Sequence, residues 1–178
     1  MARKVILYIA ISLDGFIAKK DGSVAWLDEF NNSEEDYGYK EFYNSINTVI
    51  MGNTTYKQIL GFGEFPYKDK NCYVFSKTNK GKNDYANYVN GNPKELLESF
   101  KGENIWLVGG ANLTNQFLKQ NLIDEFIITI IPKILGDGIK LFEEDNKERN
   151  LVMKEIKSYK SGIVQVHYSF PNKFHKHI

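Results

Sequence analysis

The sequence predicts an α/β fold: a mostly parallel central sheet with helices on both faces and an antiparallel C-terminal hairpin. Three observations predict it. Apolar runs recur along the chain, in "KVILYIAIS" (4–12), "NTVIMG" (47–52) and "NIWLVGG" (104–110), as expected of strands buried on both faces. Stretches with helical character separate them. The last two extended runs, in "LVMKEIKSYKSGIVQVHYSF" (151–170), meet at Ser161-Gly162, a hairpin signal.

Taken in order, the first strand leads into "LDGFIAKKDGSVAW" (13–26), whose pairs Asp14-Gly15 and Asp21-Gly22 mark a long loop. Residues 33–46 read as a helix with Ser33 as N-cap and Asp36 at the capping-box position. A short strand follows, ending at Gly52, and "NTTYKQIL" (53–60) starts a helix directly after it. "KNCYVFSK" (70–77) is a third strand, and "YANYV" (85–89) a candidate fourth. "NPKELLESFKG" (92–102) is a helix with Pro93 at its start and Gly102 past its end. After the strand ending at Gly109-Gly110 come a helix in "ANLTNQFLKQN" (111–121), a strand in "DEFIITIIPKIL" (124–135) and a connection through "GDGIKLFEE" (136–144).

The length of 178 residues fits one domain over residues 1–178. With 42% hydrophobic and 14% aromatic residues, a sizeable core is expected and global disorder is not. Charge is nearly balanced, 23 Lys+Arg against 22 Asp+Glu, which speaks against a nucleic-acid partner. Only Arg3 and Arg149 are arginines, so bidentate grips on carboxylates are scarce. The single cysteine, Cys72, excludes an intrachain disulfide and reads as a small residue inside a strand. No metal site is expected: His167 lies in a late strand, while His175 and His177 lie in the tail. The N-terminal run is short and broken by Ser12 and Asp14, so it reads as a strand and not as a secretory leader. No stretch is long enough to span a membrane, and the cytoplasm is the expected compartment.

Two strands end in glycine and lead straight into a helix, at Gly52 and at Gly109-Gly110. In an open α/β sheet, ligands lie beyond the carboxyl ends of the strands. There a helix start offers free N–H groups to an anion, and glycine leaves no Cβ in the way. Each corner is also explained by steric need alone; the pair points to two phosphates of one extended cofactor. The fingerprints G-x-G-x-x-G, G-x-x-x-x-G-K-[ST] and G-x-S-x-G are all absent.

The segments "ISLDGFIA", "VIMGNTTY", "LVGGANL" and "DEFIITIIPKILGDGIKLF", in this order and spacing, resemble the dihydrofolate reductase superfamily over residues 4–170. The chain is most similar to the branch containing the C-terminal reductase domain of the bifunctional riboflavin-biosynthesis protein. The resemblance implies a three-layer sandwich and an NADPH-dependent reductase acting on a small molecule, commonly a homodimer. It places Ala10 and Ile17 at the nicotinamide amide and the Asp14-Gly15 loop over the ring. Gly52, Asn53, Thr54 and Thr55 fall at a helix start that carries pyrophosphate. Ser76 and Lys77 fall near the 2′-phosphate, and Gly109, Gly110, Ala111, Asn112 and Leu113 face pyrophosphate and nicotinamide. Asn53 departs from the pattern, since a basic residue is usual there; Lys77, Lys80 or Lys82 either replaces it or is simply solvated.

The same resemblance implies a catalytic acid at Asp36, sixteen residues before Gly52, and a substrate pocket including Trp26 and Thr129. A half-buried carboxyl with a raised pKa suits protonation beside hydride transfer. Alternatively, Asp36 belongs to an acidic first helical turn that the macrodipole favours. The segment where folate enzymes hold an arginine for the substrate carboxylate, "FGEFPYKDKNCYVF" (62–75), contains none. Three functions remain open: a reductase of the riboflavin-intermediate type, which acts on 5-amino-6-(5-phosphoribosylamino)uracil; a dihydrofolate reductase; and a non-catalytic dinucleotide-binding module.

Overall fold

A computed structural model describes residues 3–31, 35–102, 104–144 and 146–171. The strands are β1 (Lys4–Ser12), β2 (Phe16–Ala18), β3 (Thr48–Gly52), β4 (Asn71–Phe75), β5 (Gly81–Lys82), β6 (Asn87–Val89), β7 (Asn104–Gly109), β8 (Glu125–Ile131), β9 (Ile139–Lys140), β10 (Val152–Ser158) and β11 (Val164–Ser169). The helices are α1 (Asp28–Asn31), α2 (Tyr39–Ser45), α3 (Asn53–Leu60), α4 (Pro93–Glu98) and α5 (Ala111–Lys119).

Nine strands form one sheet in the order β10-β11-β8-β1-β7-β3-β4-β6-β5, and β2 pairs with β9 in a small second sheet. The five central pairings, from β8-β1 through β4-β6, are parallel. Both margins are antiparallel: β11 against β8 and β10 on one side, β5 against β6 on the other.

Side-chain alternation divides the core in two. Val5, Leu7, Ile50, Ile105 and Leu107 point to one face, where Leu97 of α4 and Leu113, Phe117 and Leu118 of α5 cover them. Ile6, Val49, Met51, Cys72, Val74 and Trp106 point to the other, under Phe42 of α2 and Tyr56 of α3. Each such side chain contributes about 1.5–3 kcal/mol by leaving water. Cys72 is a free, buried thiol, and burial pushes its pKa up to about 12.

Four stretches differ from expectation. The helix expected over 33–46 begins only at Tyr39, because Tyr37 and Gly38 adopt left-handed backbone conformations, φ +54° and +76°. The proposed Ser33 cap lies outside the described residues. The long loop after β1 is not featureless: it contains β2 and a 3-10 turn at Ala25–Leu27. The connection through 136–144 is likewise structured, because β9 pairs with β2. Strand β8 stops at Ile131, since Pro132 offers no N–H to a ladder. The C-terminal hairpin turns where expected, with Gly162 at φ +83°.

Among the described residues, no helix is long and apolar enough to cross a membrane. No group of three or more His, Cys, Asp or Glu there could hold a metal ion.

Candidate active site

The groove forms where two neighbouring strands send their helices to opposite faces. β7 and β3 run side by side, yet α5 follows the first onto one face and α3 follows the second onto the other. The two helix starts diverge and leave a crevice at the carboxyl edge. Its volume is about 620 Å³.

Neither α3 nor α5 has a side-chain cap; their N-cap residues are Gly52 and Gly110. A Cβ on Gly110 would stand 3.3 Å from Thr55 Oγ1, and one on Gly52 would stand 3.9 Å from the Gly109 carbonyl. The corners therefore open into one space. Gly109 lies buried under it at φ +117°, and its peptide bond to Gly110 is cis. Ile17, Gly52, Asn53, Thr54, Thr55, Ser76, Lys77, Gly110, Ala111, Asn112 and Leu113 all line the groove. So do Gln58, Thr78, Asn90 and Gly91, which sequence reasoning missed. For the last two, the Asn90-Gly91 pair after β6 was the available signal. Ser76 is buried, and its Oγ accepts from Asn79 N (2.9 Å), tying down the loop that carries Lys77. Asn53 Oδ1 accepts from Asn79 Nδ2 at 3.5 Å.

A second cavity, of about 330 Å³, opens on the other side of the end of β1. Ala10 lines this cavity, not the groove, and its register partner Thr129 on β8 stands beside it. Tyr8, Phe30, Tyr37 and Tyr39 supply aromatic walls, and Ile131 and Ile163 apolar ones. None of the four aromatic residues was anticipated. Tyr8 was visible as the aromatic facing the same way as Ala10 in β1, two residues away. Tyr37 and Tyr39 are brought in only by the left-handed turn between them. That conformation disfavours a bulky residue, and long-range contacts hold it in place. The Tyr37 carbonyl accepts from Tyr8 Oη (3.3 Å) and from Gln165 Nε2 (3.2 Å), and the same amide donates to Thr129 Oγ1 (3.0 Å). Burial pushes the Tyr8 pKa up to about 12, so its phenol stays neutral at physiological pH. Trp26 is buried behind the wall, packed against Ile131 and Ile163, and does not line the cavity.

Asp36 does line the cavity, at its exposed rim. The expected burial-raised pKa is absent. Its Oδ1 accepts from Gly38 N (3.0 Å) and Oδ2 from Lys40 N (3.2 Å), and these hydrogen bonds hold the pKa below the usual carboxylate value. A carboxylate so held is an acceptor at neutral pH, not a proton reservoir.

The loop after β1 is clamped over this end of the sheet. Asp14 accepts from Ser12 Oγ (2.6 Å), Leu135 N (3.0 Å) and Gly136 N (2.7 Å), and Leu13 N donates to the Lys133 carbonyl (2.8 Å). These bonds lower the Asp14 pKa. The clamp thus contributes stability fully above the ordinary carboxylate range and loses it as pH falls through the lowered value. An Asp14→Asn chain should melt below the parent at neutral pH, and the gap should shrink as pH falls below the ordinary carboxylate range. Thermal unfolding across pH measures this; a gap that persists in acid would remove the carboxylate from the clamp.

The open α/β sheet carries a crevice at its switch point and an aromatic cavity near the end of β1, and known proteins share its fold. The structure aligns with a putative riboflavin biosynthesis protein from Shewanella sp. PV-4 at TM-score 0.86 and 30% identity, covering 97% of this chain and 100% of that one. It aligns with Enterococcus faecalis dihydrofolate reductase, solved with NADP(H), at TM-score 0.63 and 13% identity, covering 95% and 97%. The fold is dihydrofolate reductase-like. The chain belongs to the RibD C-terminal domain family, whose model matches residues 3–165. Protein YwjB of Bacillus subtilis (strain 168) is 47% identical over 173 residues, 94% of this chain and 98% of that protein.

Proposed function

We propose that this protein is an NADPH-dependent reductase that transfers hydride from the nicotinamide to a small heterocyclic, imine or carbonyl substrate. The observation that carries the reading is the convergence of Gly52 and Gly110, two uncapped helix starts, on one groove that ends beside an aromatic cavity. The residues present fit the cofactor. Pyrophosphate would lie on the first-turn N–H groups of α3 and α5, and the adenosine end near Ser76, Lys77 and Thr78. Ile17 and the end of β1 would hold the nicotinamide end, which would supply the hydride.

Tyr8, Phe30, Tyr37 and Tyr39 hold the acceptor ring flat and keep water from it. Asp36 accepts a hydrogen bond from a substrate N–H at the rim, which orients the ring, while the proton that completes reduction comes from solvent. That division of roles follows from its lowered pKa.

Titration with NADPH, read by calorimetry and by the rise in melting temperature, tests the reading, because a ligand of the native state stabilises it by mass action. Saturable binding is expected; its absence sinks the proposal, and binding with no turnover of any carbonyl or imine leaves the non-catalytic module.

Lys77 is the one cation among the described groove-lining residues. Lys77→Gln should weaken NADPH by about tenfold, the equivalent of one charge-assisted contact, and leave NADH unchanged. Equal losses for both cofactors would show that Lys77 does not read the 2′-phosphate.

A further inference from the structure

We infer that the aromatic cavity takes a planar heterocycle carrying neither phosphate nor carboxylate; this deepens the reductase reading and rests on it. Two carboxylates, Glu35 and Asp36, are the charged side chains on the cavity wall among the described residues. No lysine, arginine or histidine joins them there. The neighbouring residues 32–34, outside the described set, are Asn, Ser and Glu, so the sequence adds no cation at that stretch.

Among the described residues, the cations elsewhere lie off this wall. Lys133 donates to Glu29 and to the Trp26 carbonyl. Arg3 donates to the Leu97 carbonyl, and Arg149 to the carbonyls of Leu118 and Lys147. Lys40 and Lys157 sit near the rim, close enough to act on Asp36 and Tyr159, yet neither side chain lines the cavity.

An anionic group entering here would lose its water with no charged donor on the described wall, and would meet the Asp36 carboxylate at the rim. A flat neutral ring instead gains the faces and edges of Tyr8, Phe30, Tyr37 and Tyr39, with Asp36 to accept from a ring N–H. The volume of about 330 Å³ suits one or two fused rings without a long substituent. On this basis neither phosphoribosylaminouracil nor dihydrofolate, with its glutamate carboxylates, is the preferred substrate.

The test uses two matched pairs: dihydropterin against dihydrofolate, and the ribosylaminouracil nucleoside against its phosphate ester. Each is titrated by calorimetry against the full chain, alone and saturated with NADPH. The neutral member of each pair is expected to bind at least about tenfold more tightly. An anionic member that binds as well as its neutral counterpart overturns the inference, as does a failure of both neutral rings to bind. In the double variant Glu35→Gln, Asp36→Asn the preference should narrow; an unchanged ratio overturns the role given to the two carboxylates. Loss of NADPH binding with the ring preference intact would sink the reductase reading alone, because the titrations without cofactor report on the cavity by itself.

Discussion

Gly110→Val is expected to weaken NADPH binding by about 100-fold or more while leaving the fold in place. Even the Cβ would stand 3.3 Å from Thr55 Oγ1, and the two methyl groups would fill the gap between the starts of α3 and α5. Pyrophosphate would then be held off the N–H groups of both first turns. Losing two charge-assisted hydrogen bonds, each about 1.5–3 kcal/mol, gives the stated factor. The backbone at Gly110, φ −76° and ψ −163°, lies in extended space open to any residue. Gly110→Ala should give a smaller loss in the same direction. Calorimetric titration measures both; an unimpaired valine variant would move the cofactor out of this crevice.

Trp106→Ala should cost the chain about 3–5 kcal/mol of unfolding free energy, the range for deleting a large buried aromatic. Trp106 is 6% exposed and lies at the centre of an aromatic cluster, with ring centroids 5.2 Å from Tyr67, 5.4 Å from Phe42 and 5.9 Å from Tyr39. Its Nε1 donates to the Tyr8 carbonyl at 3.0 Å. Two of the cavity's aromatic residues, Tyr8 and Tyr39, thus rest against this indole, so ligand affinity should fall along with stability. Trp106→Phe should recover part of the packing but not the hydrogen bond. Denaturant unfolding reports the cost; a loss under about 1 kcal/mol would mean that the cluster collapses to fill the space.

Legibility in the sequence followed the range of the interaction. The two helix-start corners of the groove were readable because each is set by a local event: a strand that ends in glycine and a helix that starts at once, as at Gly52-Asn53 and Gly110-Ala111. The cavity was only half readable. Thr129 and Asp36 reach it, but Trp26 stands behind it, because the 3-10 turn at Ala25–Leu27 buries the indole against Ile131 and Ile163. The raised pKa expected of Asp36 presumed a carboxyl within a helix on a half-buried face. Two left-handed residues delay the helix to Tyr39, and the carboxylate caps the turn instead.

By itself the sequence determined the main buried strands, the helices that follow Gly52 and Gly110, and the faces these strands bury, since a period of two in Val5, Leu7 against Ile6, Tyr8 is written into the chain at short range. Lateral strand order was decided only in three dimensions. Setting β7 beside β3, with their helices on opposite faces, joins residues more than fifty positions apart, from Thr48↔Ile105 to Met51↔Gly109. The crevice exists because of that pairing. It depends on which apolar faces fit together across the whole core, a long-range balance that no local pattern records.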